Sequence, residues 1–416
     1  MFRPSSARAV HERARLLLIS VFAVSGMMAF SWLARIPSVR DQLALTAADL
    51  GLILMIGSIG ALVTVFSSPA LLARFGSNRV FAAGAVVNMI GFILVGVGTA
   101  VASRWVFGLA IVINGIGGSL LTVPMNVESA RIEQAYGRSV IPQFHAAFSA
   151  GAVAGSVLGA VCSSAGVPVW LQFSVIAVLV GGFRLAALSA GLVIPCAAAA
   201  VSARPAPKGD VLSVWREPRA ILIGVMAFAA ALSEGAANNW LSLSFVDGFA
   251  ATEAFGGIVL GVFIGSMTIV RMLGAQAIDR LGRVASLQWS CLLAIGGVAA
   301  FGLTSSPYVA LTGVALWGAG TALCFPLAVA AAADDPVGAH ARISMMASLA
   351  SIAVLTAAPL IGVVAEALGG PRHALLIVLV PLLAALAAAR WVAPLLTGVA
   401  DPRRVLADVP VPLPAT

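Results

Sequence analysis

Ala73-Arg74-Phe75-Gly76-Ser77 and Asp279-Arg280-Leu281-Gly282-Arg283 lie 206 residues apart. Each is a short basic turn built around a glycine, set between two long apolar runs. Nearly the same offset upstream pairs Trp32 with Trp240 and Gly51 with Gly257. A turn, a tryptophan and a glycine that recur in register across half a chain read as a duplicated unit. Both tryptophans are expected near an outer membrane interface, where amphipathic rings are favoured.

Outward from the two turns the chain is almost continuously apolar. It is 61% hydrophobic and only 10% charged, whereas a soluble domain carries roughly 25% charge. The excess must face lipid. Apolar runs long enough to cross a hydrocarbon core of roughly 30 Å fall at 16–34, 50–72, 80–101, 105–126, 140–164, 169–193, 220–242, 255–276, 284–304, 308–331, 342–365 and 373–396. The first follows a basic start that resembles a signal peptide's, but it has no clear small-residue exit and is read as an uncleaved helix. The expected fold is an all-α membrane protein of twelve transmembrane helices in two six-helix pseudo-symmetric bundles. The expected divisions are a first bundle over 1–194, a Pro- and charge-rich cytoplasmic linker over 195–219, a second bundle over 220–396 and a cytoplasmic tail over 397–416.

Charge placement orients the chain. Of the 24 Lys and Arg, Arg35, Arg40, Arg104 and Arg372 fall in outer segments, and Arg184 and Arg271 lie within helices. All the others fall on the inner side if both termini are cytoplasmic, as the positive-inside rule requires. The net charge of +8 is explained by that bias. Basic residues scattered over short loops do not make a nucleic-acid surface. Cys162, Cys196, Cys291 and Cys324 have neither metal-ligand spacing nor an evident pairing and read as small apolar fillers.

Asp279-Arg280-Leu281-Gly282-Arg283 resembles the cytoplasmic loop motif G-x-x-x-D-R-x-G-R of the major facilitator superfamily, with Gly274 one position early. The first copy has Ala73 for the acid and Pro69 for the glycine. Trp32-Leu33-Ala34-Arg35-Ile36-Pro37, Asn126-Val127-Glu128, His145 with Ser149, and Glu234-Gly235-Ala236-Ala237-Asn238-Asn239-Trp240 resemble a bacterial inner-membrane branch distantly similar to fucose permease. The resemblance implies that the first, fourth, seventh and tenth helices line a central cavity. That expectation places Asn114, Asn126, Trp317 and Thr321 at its wall. Two features depart from coupled and drug-exporting members: Ile111 stands where many carry an arginine four residues before Gly115, and the fifth helix lacks a Gly-Pro element.

An ionisable side chain at membrane depth is costly, by roughly 2.5–3.5 kcal/mol on insertion scales, and is a functional candidate by default. Glu234 lies deep in the seventh run with Asn238 one turn on, so both share a face. A carboxylate there suits reversible protonation or solute contact, and Gly235 beside it would permit a helix break. A structural acid is the alternative. His145 begins the fifth run and titrates near neutrality; it is a coupling candidate or an interfacial hydrogen-bonding residue. Its face carries Ser149 and Ser156, apart from a packing stripe of Gly151, Gly155 and Gly159. Arg271 could meet an anionic solute or pair with a carboxylate. Arg184 is expected near the inner face, its head snorkelling to the lipid headgroups.

Gating candidates are Asp279, Arg280 and Arg283 at the inner loop, Arg35 at the outer end of the first run, and Glu128 with Arg131, three apart and poised to pair. The expected activity is secondary active transport of a small polar metabolite (a sugar, polyol or organic acid) by alternating access, coupled to protons. The alternatives are a drug or metabolite efflux antiporter and, more remotely, an intramembrane receptor or enzyme. No soluble catalytic loop, nucleotide-binding glycine loop or H-E-x-x-H zinc motif is present. No cofactor or metal is expected. The expected partners are a small-molecule substrate, protons and the bilayer of a bacterial inner membrane, with the chain acting as a monomer.

Overall fold

The structure, a computed structural model, describes residues 4–192, 214–335 and 338–394. Most of the expected linker, Cys196 and all of the expected tail lie outside the described residues. What is described is helical, without a strand.

The helices are α1 (Pro4–Leu33), α2 (Ile36–Gln42), α3 (Ala47–Ala100), α4 (Arg104–Tyr136), α5 (Ile141–Ser164) and α6 (Val169–Ser189) in the first half. The second half holds α7 (Pro218–Phe249), α8 (Glu253–Leu303), α9 (Pro307–Thr321), α10 (Cys324–Ala332) and α11 (Ala339–Leu368). It ends in α12 (Pro371–Ala374), which continues through a 3₁₀ turn into α13 (Leu379–Ala388). Taking α9 with α10, and α12 with α13, ten described helices are long and apolar enough to cross a membrane.

Two of the ten are twice the length of a span: α3 has 54 residues and α8 has 51. Each reverses at the glycine of its basic turn. Gly76 has φ 77° and ψ 159°, and Gly282 has φ 77° and ψ 165°, a region open in practice only to glycine. Dividing both helices there accords with the twelve spans expected. The duplication extends to the caps. Thr46 and Thr252 each accept, through the side chain, a hydrogen bond from the backbone N–H three residues on, and Ala44 and Ala250 have matching φ of 47° and 48°.

Within each half, small residues let backbones touch, which is how helices associate where lipid removes the hydrophobic drive. The Gly151, Gly155 and Gly159 stripe of α5 lies against the backbone of α1 at Ala23, Met27 and Ser31. Gly117 of α4 meets Asn88 of α3, and Gly320 of α9 meets Ala294 of α8. Trp32 and Trp240 are buried: Trp32 packs on Phe107 and Phe173. The helix break that Gly235 would permit does not occur; α7 runs unbroken from 218 to 249.

The two halves meet along α5 with α8 and α3 with α11. Gly257 lies against Ala34 and Ala160, Gly51 against the Ala358 carbonyl, and Gly362 against the Ala47 carbonyl. Polar bonds between the halves gather at this same end. Arg35 Nε and Glu253 Oε2 form an ion pair at 2.9 Å. Glu253 also accepts from the Ser38 N–H at 2.8 Å and from Ser163 Oγ at 2.6 Å. Arg40 pairs with Asp247, Glu366 accepts from the Ala48 N–H at 3.2 Å, and Ser242 Oγ donates to the Ala34 carbonyl at 3.3 Å. The molecule is sealed at the end where α1 turns into α2 and α7 into α8.

Candidate functional site

Away from the seal the halves enclose polar space. A cavity of about 770 Å³ is walled by α3 at Ser58 and Val65, by α7 at Glu234, Asn238 and Asn239, by α8 at Arg271 and by α11 at Ser351. Arg271 is fourteen residues along α8 from Gly257, about 21 Å at 1.5 Å per residue, so the cavity sits well below the seal. Glu234 Oε2 accepts from Arg271 Nη2 at 2.9 Å, and Arg271 Nε donates to the Ala322 carbonyl at 3.4 Å. Both side chains remain about one-third exposed, at 34% and 36%. The pair is therefore wet on one side. Asn238 stands in this wall, and its Oδ1 is buried there with no hydrogen-bond partner. Neighbouring Asn239 is spent on its own helix, donating to the Gly235 carbonyl at 2.9 Å.

A second cavity of about 390 Å³ lies inside the first half, between α1, α3, α4, α5 and α6. Asn114, Asn126 and His145 line it, with Asn88, Trp32 and Arg184. The His145 ring stands edge-on to Phe22, with centroids 5.7 Å apart, and has no hydrogen-bond partner among the described residues. Arg184 does not snorkel; it is buried. Its Nη1 donates to Asn88 Oδ1 at 2.7 Å and its Nη2 to Ser25 Oγ at 2.9 Å. Asn88 Nδ2 in turn donates to Asn114 Oδ1 at 2.6 Å. Sequence reasoning missed this cluster, although an amide in the apolar run 80–101 was a signal: Asn88 needs a polar partner there.

Trp317 and Thr321 do not reach either cavity. Gly297, Gly313 and Gly320 draw α8 and α9 into backbone contact, which turns Trp317 into the packed seam. It is fully buried against Phe263, and its Nε1 donates to Ser233 Oγ at 2.7 Å. Thr321 is buried and bonds back to the Trp317 carbonyl.

The gating candidates divide. Arg35 stands at the seal, also donating to Gln172 Oε1 at 2.8 Å and to the Val167 carbonyl at 3.1 Å. Its partner Glu253 was not singled out from sequence. At the other end Arg131 and Glu128 pair at 2.6 Å. Asp279 and Arg280 are exposed and form no ion pair among the described residues. Arg283 pairs with Asp334, which Arg219 shares at 2.9 Å. The acid engaged by the loop in this state is thus Asp334 rather than Asp279. Among the described residues no cluster of three metal-ligating side chains occurs. Cys162, Cys291 and Cys324 are free thiols.

An all-helical chain of paired spans, sealed at one end over a polar cavity between its halves, is a multi-pass membrane transporter. The chain belongs to the Major Facilitator Superfamily, whose sequence model matches residues 16–342. It is 26% identical over 347 residues to the uncharacterized transporter y4wD of Sinorhizobium fredii, covering 83% of this chain and 89% of that protein. Among solved structures it shares its fold with the nucleoside transporter NupG, with a TM-score of 0.71 at 16% identity, covering 92% of this chain and 98% of NupG. It likewise resembles the E. coli fucose:proton symporter FucP, at 0.62 and 16% identity, covering 91% and 98%. Its relatives include transporters, and the chain is a transporter rather than an enzyme.

Proposed function

We infer that the protein is a proton-coupled secondary transporter of a small polar metabolite, working by alternating access across a bacterial inner membrane. The observation that carries this reading is the Glu234–Arg271 pair at 2.9 Å, half-open to a cavity sealed at one end. Internal repeats with a site between them are the usual frame for alternating access. The charge bias of the loops supports a sealed end outside and both termini in the cytoplasm, which makes this an inward-facing state. Protonation of Glu234 would remove its charge, release Arg271 and let the seal at Arg35 and Glu253 part in exchange for contacts at the inner loops. Asp279 and Arg280, free in this state, are the groups available for those contacts. A fold shared with a fucose:proton symporter and a nucleoside transporter supports a polar solute.

The test is accumulation in membrane vesicles. Labelled sugars, polyols and organic acids are offered with and without an imposed pH gradient. Uphill uptake of one of them, abolished by a protonophore, is the expected result. Accumulation that ignores the gradient would overturn proton coupling.

A further inference from the structure

Arg184 is a buried cation with no carboxylate within ion-pair distance among the described residues. Its hydrogen-bond partners, Asn88, Ser25 and the Met28 sulfur at 3.8 Å, are neutral, and its Nε has none. A guanidinium only donates, and this sets the direction of every amide beyond it. The Asn88 oxygen must face Arg184, so its NH₂ faces Asn114. The Asn114 oxygen is thereby used, which leaves the Asn114 NH₂ to the cavity. The chain of side chains therefore offers donors and positive charge to the space it lines, next to His145 and Asn126. A buried charge left without a counter-ion is strongly unfavourable unless something pairs with it, and a planar carboxylate matches the guanidinium fork best.

We propose that the cavity of the first half binds a carboxylate, so that the transported solute is an organic acid whose anionic group is read by Arg184, Asn88 and Asn114. This narrows the metabolite class of the preceding section and rests on that reading for transport, but the binding site can be tested without it.

The purified full-length protein is melted in detergent with matched probes: gluconate against sorbitol, lactate against propane-1,2-diol, and formate against chloride at equal ionic strength and pH. At least one carboxylate should raise the melting temperature saturably, with an affinity more than tenfold above that of its uncharged or chloride counterpart. Arg184→Met should abolish that response, and Arg184→Lys should weaken it. Should Arg184→Met fail to fold, Asn88→Asp decides. It supplies the missing counter-ion from within, so the unliganded protein should melt no lower than wild type and lose its response to carboxylates. The proposal is overturned if no carboxylate stabilises wild type, if the uncharged partners do so equally, or if Asn88→Asp keeps the carboxylate response. Failure here beside proton-driven uptake of an uncharged sugar would leave the transport reading intact. Carboxylate binding without gradient-driven uptake would do the reverse.

Discussion

Glu253→Gln should unseal the outer end. Glu253 holds the first half by three contacts: the ion pair with Arg35 and the bonds from the Ser38 N–H and Ser163 Oγ. Arg35 and Glu253 are both largely buried, at 5% and 12% side-chain exposure. Breaking a buried pair by removing one charge costs about 3–5 kcal/mol. Arg35 keeps Gln172 and the Val167 carbonyl within its own half; the glutamine oxygen can still accept from the Ser38 N–H, and its NH₂ can donate to Ser163 Oγ in place of the bond that Oε2 accepted. Those residual bonds reduce the loss to about 2–3 kcal/mol, which shifts the equilibrium between sealed and open outer ends by about 30- to 150-fold. The readout is a cysteine at Ser242, whose hydroxyl is buried across the seam from Ala34, in a background with Cys162, Cys196, Cys291 and Cys324 replaced. A membrane-impermeant maleimide applied from outside should label Ser242→Cys faster by that factor when Glu253→Gln is added. A labelling rate within about threefold of the parent, or roughly 0.6 kcal/mol, would show that Glu253 does not hold the seal.

Glu234→Gln should abolish pH-driven accumulation while equilibrium exchange of solute survives, because exchange needs no net proton movement; uphill uptake at the normal rate would move the coupling role to His145. Asp279→Ala should slow turnover without reducing folded yield or solute affinity, since the carboxylate has no ion pair among the described residues, and a normal transport rate would remove it from the gate. Gly282→Ala should destabilise the protein by about 1–3 kcal/mol, the usual cost of a side chain in that backbone region; the surroundings offer no steric reason, since nothing lies within 4 Å of the added methyl, and an unchanged melting temperature would contradict the assigned turn.

The membrane-spanning pattern was legible because lipid demands long apolar runs, and the duplication because a reversal between spans demands glycine at Gly76 and Gly282. The Glu234–Arg271 pair was half legible: both residues stood out as charges at depth, but nothing in the chain joined them. What could not be read was the rotation of each helix. In a membrane the lipid-facing and the protein-facing sides are both apolar, so periodicity does not tell which way a residue points. Trp317 was therefore placed on the cavity wall when it belongs to the α8–α9 seam, and Arg184 at the headgroups when it belongs to Asn88. Nothing in the sequence joined Glu253 and Asp247 to Arg35 and Arg40, about two hundred residues away in the other half.

The seam at the sealed end is faced with glycine and alanine: Gly257 on Ala34 and Ala160, Gly51 on Ala358, Gly362 on Ala47. Such surfaces have no teeth. Where large side chains interlock, parting two bodies means withdrawing each knob from its hole and changing rotamers on the way. Here the halves can lift off one another like planed boards. In the rocking cycle proposed, the resistance to opening then resides in a short series of polar latches, Arg35–Glu253 and Arg40–Asp247 foremost. The pace of the stroke becomes adjustable one latch at a time, with the bearing surface left untouched.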